Sequence, residues 1–246
     1  MKEFIYGRNP VHETLRANRR QILQLLLAEG LQEKSRLDEI LELARKRKIP
    51  VVKIPRQRLE RINDSNQGIA MEVGEYPYAH LRDILNLAEA RNQPLFVLIL
   101  DSLQNPQNLG TLIRTAESVG VHGVVIASHR AAEITPAVVS ASAGACEHML
   151  IAQSNLAQAI SELKQVNTWV VGLDEGPESL PLEEVRLVGA LAIVVGNEGE
   201  GLRALVRKQC DILLRLPMQG EIASLNAAVA GSVVLYLSYL ARNPGS

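Results

Sequence analysis

Leu191-Ala192-Ile193-Val194-Val195-Gly196-Asn197-Glu198-Gly199-Glu200-Gly201 changes character partway along, five apolar residues running straight into six glycine or polar positions. The first half has the length and composition of a strand and the second of a loop. A short helix follows, then a second apolar strand over 212–216 and a loop over 217–223. Ser224-Leu225-Asn226 then leads into a nearly uncharged helix that ends near Arg242. Two strand ends and one helix start therefore deliver polar loops to one region. Ligands of open α/β sheets bind at the carboxyl ends of strands, where small residues permit close approach, so the chemistry is expected within 191–240.

Upstream, the pattern is α/β. Residues 95–100 form a continuous apolar run, the mark of a strand buried in a parallel sheet. After a polar loop over 101–107, a helix over 108–119 places Leu109, Leu112, Ile113 and Ala116 on one face and Arg114 on another. Strands are expected at 121–127, 148–152 and 168–173, with helices at 135–145 and after Asn155, and an acidic connecting loop at 174–188. Such alternation implies a parallel sheet covered on both faces. At the front, strands at 4–6, 21–28, 51–54 and 69–73 enclose helices, the first capped by Asn9 with Pro10 at its first position. Gly74, Pro77 and two tyrosines interrupt the pattern between 73 and 80. The expected division is a small α/β/α domain over 1–75, a linker and connecting helix over 76–93, and a catalytic domain over 94–246.

Aromatic residues make up 3% of the chain, which argues against a single-strand binder built on stacking platforms. Residues 1–73 carry 15 Lys/Arg against 10 Asp/Glu, a net of +5, although the whole chain is at -1. That surplus is either a solvated face or a footprint for a polyanion. Cys146 and Cys210 stand far apart in apolar surroundings without metal-type spacing, so they are expected to be core thiols. The start of the chain lacks an apolar leader segment. The run 222–241 carries Ser224, Asn226, Ser232 and Ser238 and is expected to be a buried helix rather than a membrane span. A cytoplasmic protein without metal follows.

The glycine loop fits neither G-x-G-x-x-G nor the phosphate-binding P-loop. Glu198 and Glu200 repel anions, so a ligand with a positive centre suits it better, while a plain turn is the simpler alternative. Ser224 is placed to cap the last helix, Asn226 lies in its first turn facing the same crevice, and Arg114 is either a surface cation or a site residue. Their order along the chain is more specific than any one of them.

Asn108-Leu109-Gly110-Thr111-Leu112-Ile113-Arg114-Thr115-Ala116, Ile193 to Gly201, Leu216-Pro217-Met218 and Ser224-Leu225-Asn226-Ala227-Ala228-Val229-Ala230 resemble the ordered motifs of the SPOUT-superfamily RNA ribose 2′-O-methyltransferases of the TrmH/RlmB group. The resemblance covers roughly 95–242. Tyr6-Gly7-Arg8-Asn9-Pro10-Val11 and Asn66-Gln67-Gly68-Ile69-Ala70 resemble the L30e-like RNA-binding domain of the members that act on guanosine in 23S rRNA. What this implies is a SPOUT α/β domain with a C-terminal trefoil knot, a homodimer, RNA rather than DNA as substrate, and S-adenosylmethionine as methyl donor. It implies Asn108, Arg114, Glu198, Ser224 and Asn226 as catalytic residues and Gly196, Asn197, Leu216, Met218 and Leu225 as cofactor-binding ones. A tRNA ribose methyltransferase and a non-catalytic ribosome-assembly factor are the alternatives.

Overall fold

The computed structural model describes residues 2–31, 35–128, 132–221 and 224–245. The chain runs β1 (Glu3–Tyr6), α1 (Arg8–Ala17), β2 (Ile22–Ala28), α2 (Ser35–Lys46), β3 (Val51–Ile54), α3 (Arg56–Glu60), β4 (Ile69–Val73) and α4 (Leu81–Ala90). It continues through β5 (Phe96–Leu100), α5 (Pro106–Ser118), β6 (Gly123–Ala127), α6 (Pro136–Ala141), β7 (Leu150–Ser154), α7 (Leu156–Gln165) and β8 (Trp169–Leu173). The last elements are β9 (Leu180–Pro181), β10 (Leu191–Val195), α8 (Ala204–Gln209), β11 (Ile212–Arg215) and α9 (Ala227–Arg242). Two units form, one from residues 1–77 with 133–148 and the other from 78–132 with 149–246.

The first unit is a four-stranded mixed sheet in the order β1-β4-β2-β3, with β2 and β3 parallel and β4 antiparallel to both its neighbours. Val11 and Leu15 of α1 and Leu37, Ile40 and Ala44 of α2 are buried, at the three- and four-residue spacing of an amphipathic helix. Asn9 is not the cap of α1. Gly7 turns the chain with φ 88° and its carbonyl accepts the first helical bond from Val11 at 3.1 Å, so the helix opens at Arg8. Pro10 still lies in the first turn, where no backbone N–H is required.

Residues 133–148 pack with this unit although they fall between β6 and β7 in the chain. Glu147 is wholly buried, and Arg20, 5% exposed, reaches its carboxylate oxygens through Nε at 3.0 and 3.2 Å. The same guanidinium donates to Glu3 at 2.8 Å and lies 4.8 Å from the centre of the Tyr76 ring, whose hydroxyl donates to the Cys146 carbonyl at 2.7 Å. Burial lifts the Glu147 carboxyl above the usual range while Arg20 pulls it back. Both cysteines are free, and burial pushes the thiols of Cys146 and Cys210 up to about 12, which keeps them unreactive.

The second unit carries a seven-stranded parallel sheet in the order β7-β6-β5-β10-β8-β11-β9. Every residue of β5, β6 and β10 is buried, as a sheet covered on both faces demands. Ile84 of α4, Leu156, Ile160 and Leu163 of α7 and Val206 of α8 join Val97, Ile99, Val125 and Val194 in one core. α5 and α9 pack together and against the sheet, Gly231 allowing close approach, since a Cβ there would lie 2.6 Å from Leu112. β10 follows β5 and β8 in the chain yet inserts between them.

Several boundaries differ from expectation. α5 begins at Pro106, not 108, because the Asn105 side chain caps it by accepting from the Gln107 N–H at 2.9 Å. α6 stops at Ala141, short of 145. The loop 174–188 includes a two-residue strand, β9, which extends the sheet beside β11. Of the loop expected at 217–223, residues 222 and 223 lie outside the described residues. Among the described residues no helix is long and apolar enough to cross a membrane.

Arg20→Ala should destabilise the protein by about 3–5 kcal/mol in chemical denaturation, because it leaves Glu147 as an uncompensated buried charge. Glu147→Gln, which removes one charge but keeps shape, should cost less; equal losses would mean that the ion pair is not what matters.

Candidate active site

The site starts from one backbone constraint. At the carboxyl end of β10 the chain returns so closely that a Cβ on Gly196 would stand 2.3 Å from the Gly201 carbonyl carbon and 2.4 Å from its oxygen. Asn197 and Gly201 close the turn by exchanging backbone hydrogen bonds of 3.1 and 3.0 Å. Gly199 and Gly201 take φ of 93° and 68°. Only glycine permits this closure at 196, so the loop is fixed in shape before any ligand is considered.

Its far end is held by a charge. Asp101, the residue after β5, is fully buried, accepts from the Arg203 backbone N–H at 2.8 Å and pairs with Arg203 Nε at 2.5 Å. The Asp101 N–H donates to the Val195 carbonyl at 2.8 Å. The two ends of the glycine loop are thus tied to the end of the neighbouring strand.

Asn226 is the cap of α9, its Oδ1 accepting from the N–H groups of Ala228 and Val229 at 2.9 and 3.2 Å. Ser224, expected in that role, lies two residues before it. The Asn226 side-chain amide is left free to donate, and it donates to Glu198 Oε1. Asn108, buried in the first turn of α5, donates to the same oxygen at 2.5 Å, and Asn226 reaches Asn108 Oδ1 at 3.4 Å. Two amides from two helices converge on one loop carboxylate.

Beside this trio lies a cavity of about 530 Å³, formed by the carboxyl ends of β8, β10 and β11 and the approach to α9. Four carboxylates, Asp174, Glu175, Glu198 and Glu200, line it against one cation, Arg215. Burial alone would raise the Asp174 carboxyl. The Gly176 N–H at 2.8 Å and the Arg207 guanidinium at 2.5 Å instead hold it below the usual carboxylate range. The wall is rich in backbone and acidic groups, which suits a flat polar ligand carrying positive charge and disfavours a phosphate.

Gly196, Asn197, Glu198, Leu216, Ser224, Leu225 and Asn226 line the cavity, and Asn108 joins through Glu198. Met218 is exposed and outside the lining. Arg114 is exposed on α5, also outside it, and its side chain has no partner among the described residues. Asp101, Asp174 and Arg203 were not singled out from the sequence. Asp101 had a signal, a carboxylate directly after a wholly apolar strand; Arg203 and Asp174 had none, since their partners are about 100 and 30 residues away.

The chain is similar to known RNA methyltransferases. The profile of the SpoU rRNA Methylase family matches residues 95–236, and one described as RNA 2′-O ribose methyltransferase substrate binding matches residues 4–79. A Bacillus subtilis (strain 168) protein assigned to the TrmH family of tRNA/rRNA methyltransferases is 40% identical over 247 residues, covering 98% of this chain and 97% of its own. Among solved structures, an AdoMet-bound rRNA methyltransferase from Sinorhizobium meliloti matches with a TM-score of 0.78 at 22% identity, over 96% of this chain and 86% of that one. The A. aeolicus TrmH/SpoU tRNA modifying enzyme matches with a TM-score of 0.53 at 26% identity, over 65% of this chain and 80% of its own.

Gly196→Ala should destabilise the protein by about 1–3 kcal/mol, the range of overpacking, and abolish ligand binding in the cavity. Gly199→Ala, where no atom lies within 4 Å, should show only the strain of its positive φ. Urea denaturation of both variants checks the difference; two equal losses would mean that the close approach at Gly196 does not matter.

Proposed function

The chain belongs to the SpoU family of rRNA methylases, and from that premise we propose that it transfers the methyl group of S-adenosylmethionine to a ribose 2′-hydroxyl of structured RNA, a guanosine of 23S rRNA in the first instance. The observation that carries the reading is the convergence of Asn108 and Asn226 on Glu198 at the edge of an acidic, backbone-walled cavity at the strand ends. That lining fits the donor: its positive sulfonium and amino group meet an excess of carboxylates, and glycine backbone leaves room for a flat ring. When bound, S-adenosylmethionine supplies an activated methyl for displacement.

The protein's own part is alignment and charge. Glu198 is braced by two amides, so the loop wall is held in one position before the substrate arrives. Ser224 and Asn226, at the start of α9, orient the acceptor and the donor side. As a guanidinium, Arg114 acts as a cation, stabilising the developing alkoxide or gripping the adjacent RNA phosphate, rather than as a base.

Arg114 lies outside its own subunit's cavity lining, and we assign it to the neighbour's site in a homodimer. Support comes from α9, which packs on α5 and exposes Val229, Val233, Tyr236 and Leu240, each at least 40% exposed and three or four residues apart. A stripe of that spacing suits a second helix. The knotted path belongs to this reading as well, supported by β10 entering between β5 and β8 and by the fold likeness.

An rRNA target is favoured by the front of the chain, net +5 over residues 1–73, and by the match to the tRNA modifying enzyme, which leaves about a third of this chain without a counterpart.

Incubation with methyl-labelled S-adenosylmethionine and either unmodified 23S rRNA or bulk tRNA should label one rRNA guanosine ribose; label in tRNA alone would replace the target, and none in either would remove the activity. Glu198→Gln should slow single-turnover transfer at least about tenfold, a loss near 1.4 kcal/mol, by setting an amide against two amide donors.

Tyr236→Glu should turn the dimer into a monomer in sedimentation equilibrium. Mixing the impaired Arg114→Ala and Glu198→Gln subunits should raise activity above that of either alone, to about a quarter of wild type, as random pairing gives half heterodimers with one intact site each. No recovery would place Arg114 in its own subunit's site.

A further inference from the structure

We propose that the first unit seizes one unpaired RNA nucleotide in a cavity between Arg8 and Arg56, while the basic run 45–61 holds the flanking backbone. This rests on the reading of the chain as an RNA methyltransferase and adds to it where, and in what form, the substrate is first held.

The charge of the front of the chain is concentrated in one place. Residues 45–61 contain eight Lys/Arg and a single acid, Glu60; the rest of 1–73 has seven basic residues against nine acidic. Seven of the eight cations are exposed, on the end of α2, on β3 and on α3. Lys46 pairs with Glu42 and Arg56 weakly with Glu60, but Lys48, Lys53, Arg58 and Arg61 have no ion-pair partner among the described residues. β3 is the edge of its sheet, with Val51 and Val52 exposed between these cations. A band of unneutralised cations along an edge suits a polyanion backbone.

Arg56 belongs both to this band and to a cavity of about 630 Å³, within the range of small-ligand sites. The cavity opens at the carboxyl ends of β2 and β3. Arg8 and Arg56 supply guanidinium forks, which match phosphate bidentately. Gly30, with φ of 71°, leaves its part of the wall open, since a Cβ there would meet nothing within 4 Å, while Gly68, with φ of 80°, packs closely against the Leu31 side chain. The wall is braced before any ligand arrives: Gln67 accepts from the Arg8 N–H at 2.9 Å, and Asn66 accepts from the Gly68 N–H at 2.7 Å. Glu29 also lines it, which disfavours a bare phosphate and suits a base whose amino group a carboxylate can accept from. Two arginines, one carboxylate and concave backbone together describe a nucleotide. A nucleotide enters such a space only if unstacked, the state in which RNA is read sequence-specifically.

The test uses the full chain with 23S rRNA transcript and bulk tRNA as probes. Arg8→Ala and Arg56→Ala should each weaken binding about tenfold and flatten the slope of log affinity against log salt by about one. Arg82→Ala and Arg91→Ala, exposed cations outside this unit, should do neither. With 6-thioguanosine in the RNA, which keeps the amino group of guanine, photo-cross-links should fall on residues 28–31 or 67–68. S-adenosylmethionine affinity should be unchanged in all four variants. Unaltered RNA affinity in the Arg8/Arg56 double variant, equal loss in the controls, or cross-links confined to other residues would each overturn the assignment, even if methyl transfer proceeds. Binding and cross-links as expected with no methyl transferred would leave this site standing and remove the proposed activity.

Discussion

The second unit depends on a buried charge that holds two strand ends together. Asp101 has no exposed surface, and its carboxylate is taken up by the backbone N–H and the guanidinium of Arg203 while its own N–H caps the end of β10. An unpaired carboxylate at that depth would not be tolerated. The pairing therefore dictates where α8 begins and where the glycine loop must end. With the ends set, Gly196 and Gly201 meet as backbone against backbone, and the loop has one shape. Glu198 then projects to where the first turns of α5 and α9 can both reach it. The candidate site is a by-product of how the carboxyl ends of two interior strands are tied together.

α9 is held at both ends by unlike means. At its start the Asn226 side chain divides its labour, oxygen capping the helix and nitrogen donating to Glu198. At its end Arg242 donates to the Pro94 carbonyl at 2.7 Å and lies 4.7 Å from the centre of the Phe96 ring. A helix pinned so can present an apolar stripe to solvent without peeling away to bury it. That is the condition for the stripe to serve the second subunit proposed above.

Much of this was legible in the residues. The wholly apolar strands at 95–100 and 191–195 announce burial on both faces, and the position of Asn226 at the start of the last helix places it by the glycine loop, whereas Asn108 enters only through the family resemblance. Local hydrogen bonding moved the details. The cap of α9 passed from Ser224 to Asn226, and that of α1 from Asn9 to Gly7, because caps are decided by which backbone geometry the loop can reach. Long-range pairs had no local trace: nothing near Arg20 in sequence indicates Glu147, and nothing near Asp101 indicates Arg203. Met218 and Arg114 carry the pattern of site residues yet lie off the cavity of a single chain, which is what a site shared between subunits would look like from one of them.

The return of residues 133–148 to the first unit has a consequence for how the chain is made. Residues 1–77 contain all four strands of their sheet, but the buried partner of Arg20, Glu147, and the helix α6 that packs on β1 and α1 come later in the chain. At synthesis rates of 5–20 residues per second the nascent sheet waits roughly 4–14 s for them. During that interval β5 and β6 of the other sheet are already out, with apolar faces of their own. The earliest part of the protein to be translated is thus among the last to be completed, and the order of synthesis does not match the order of closure.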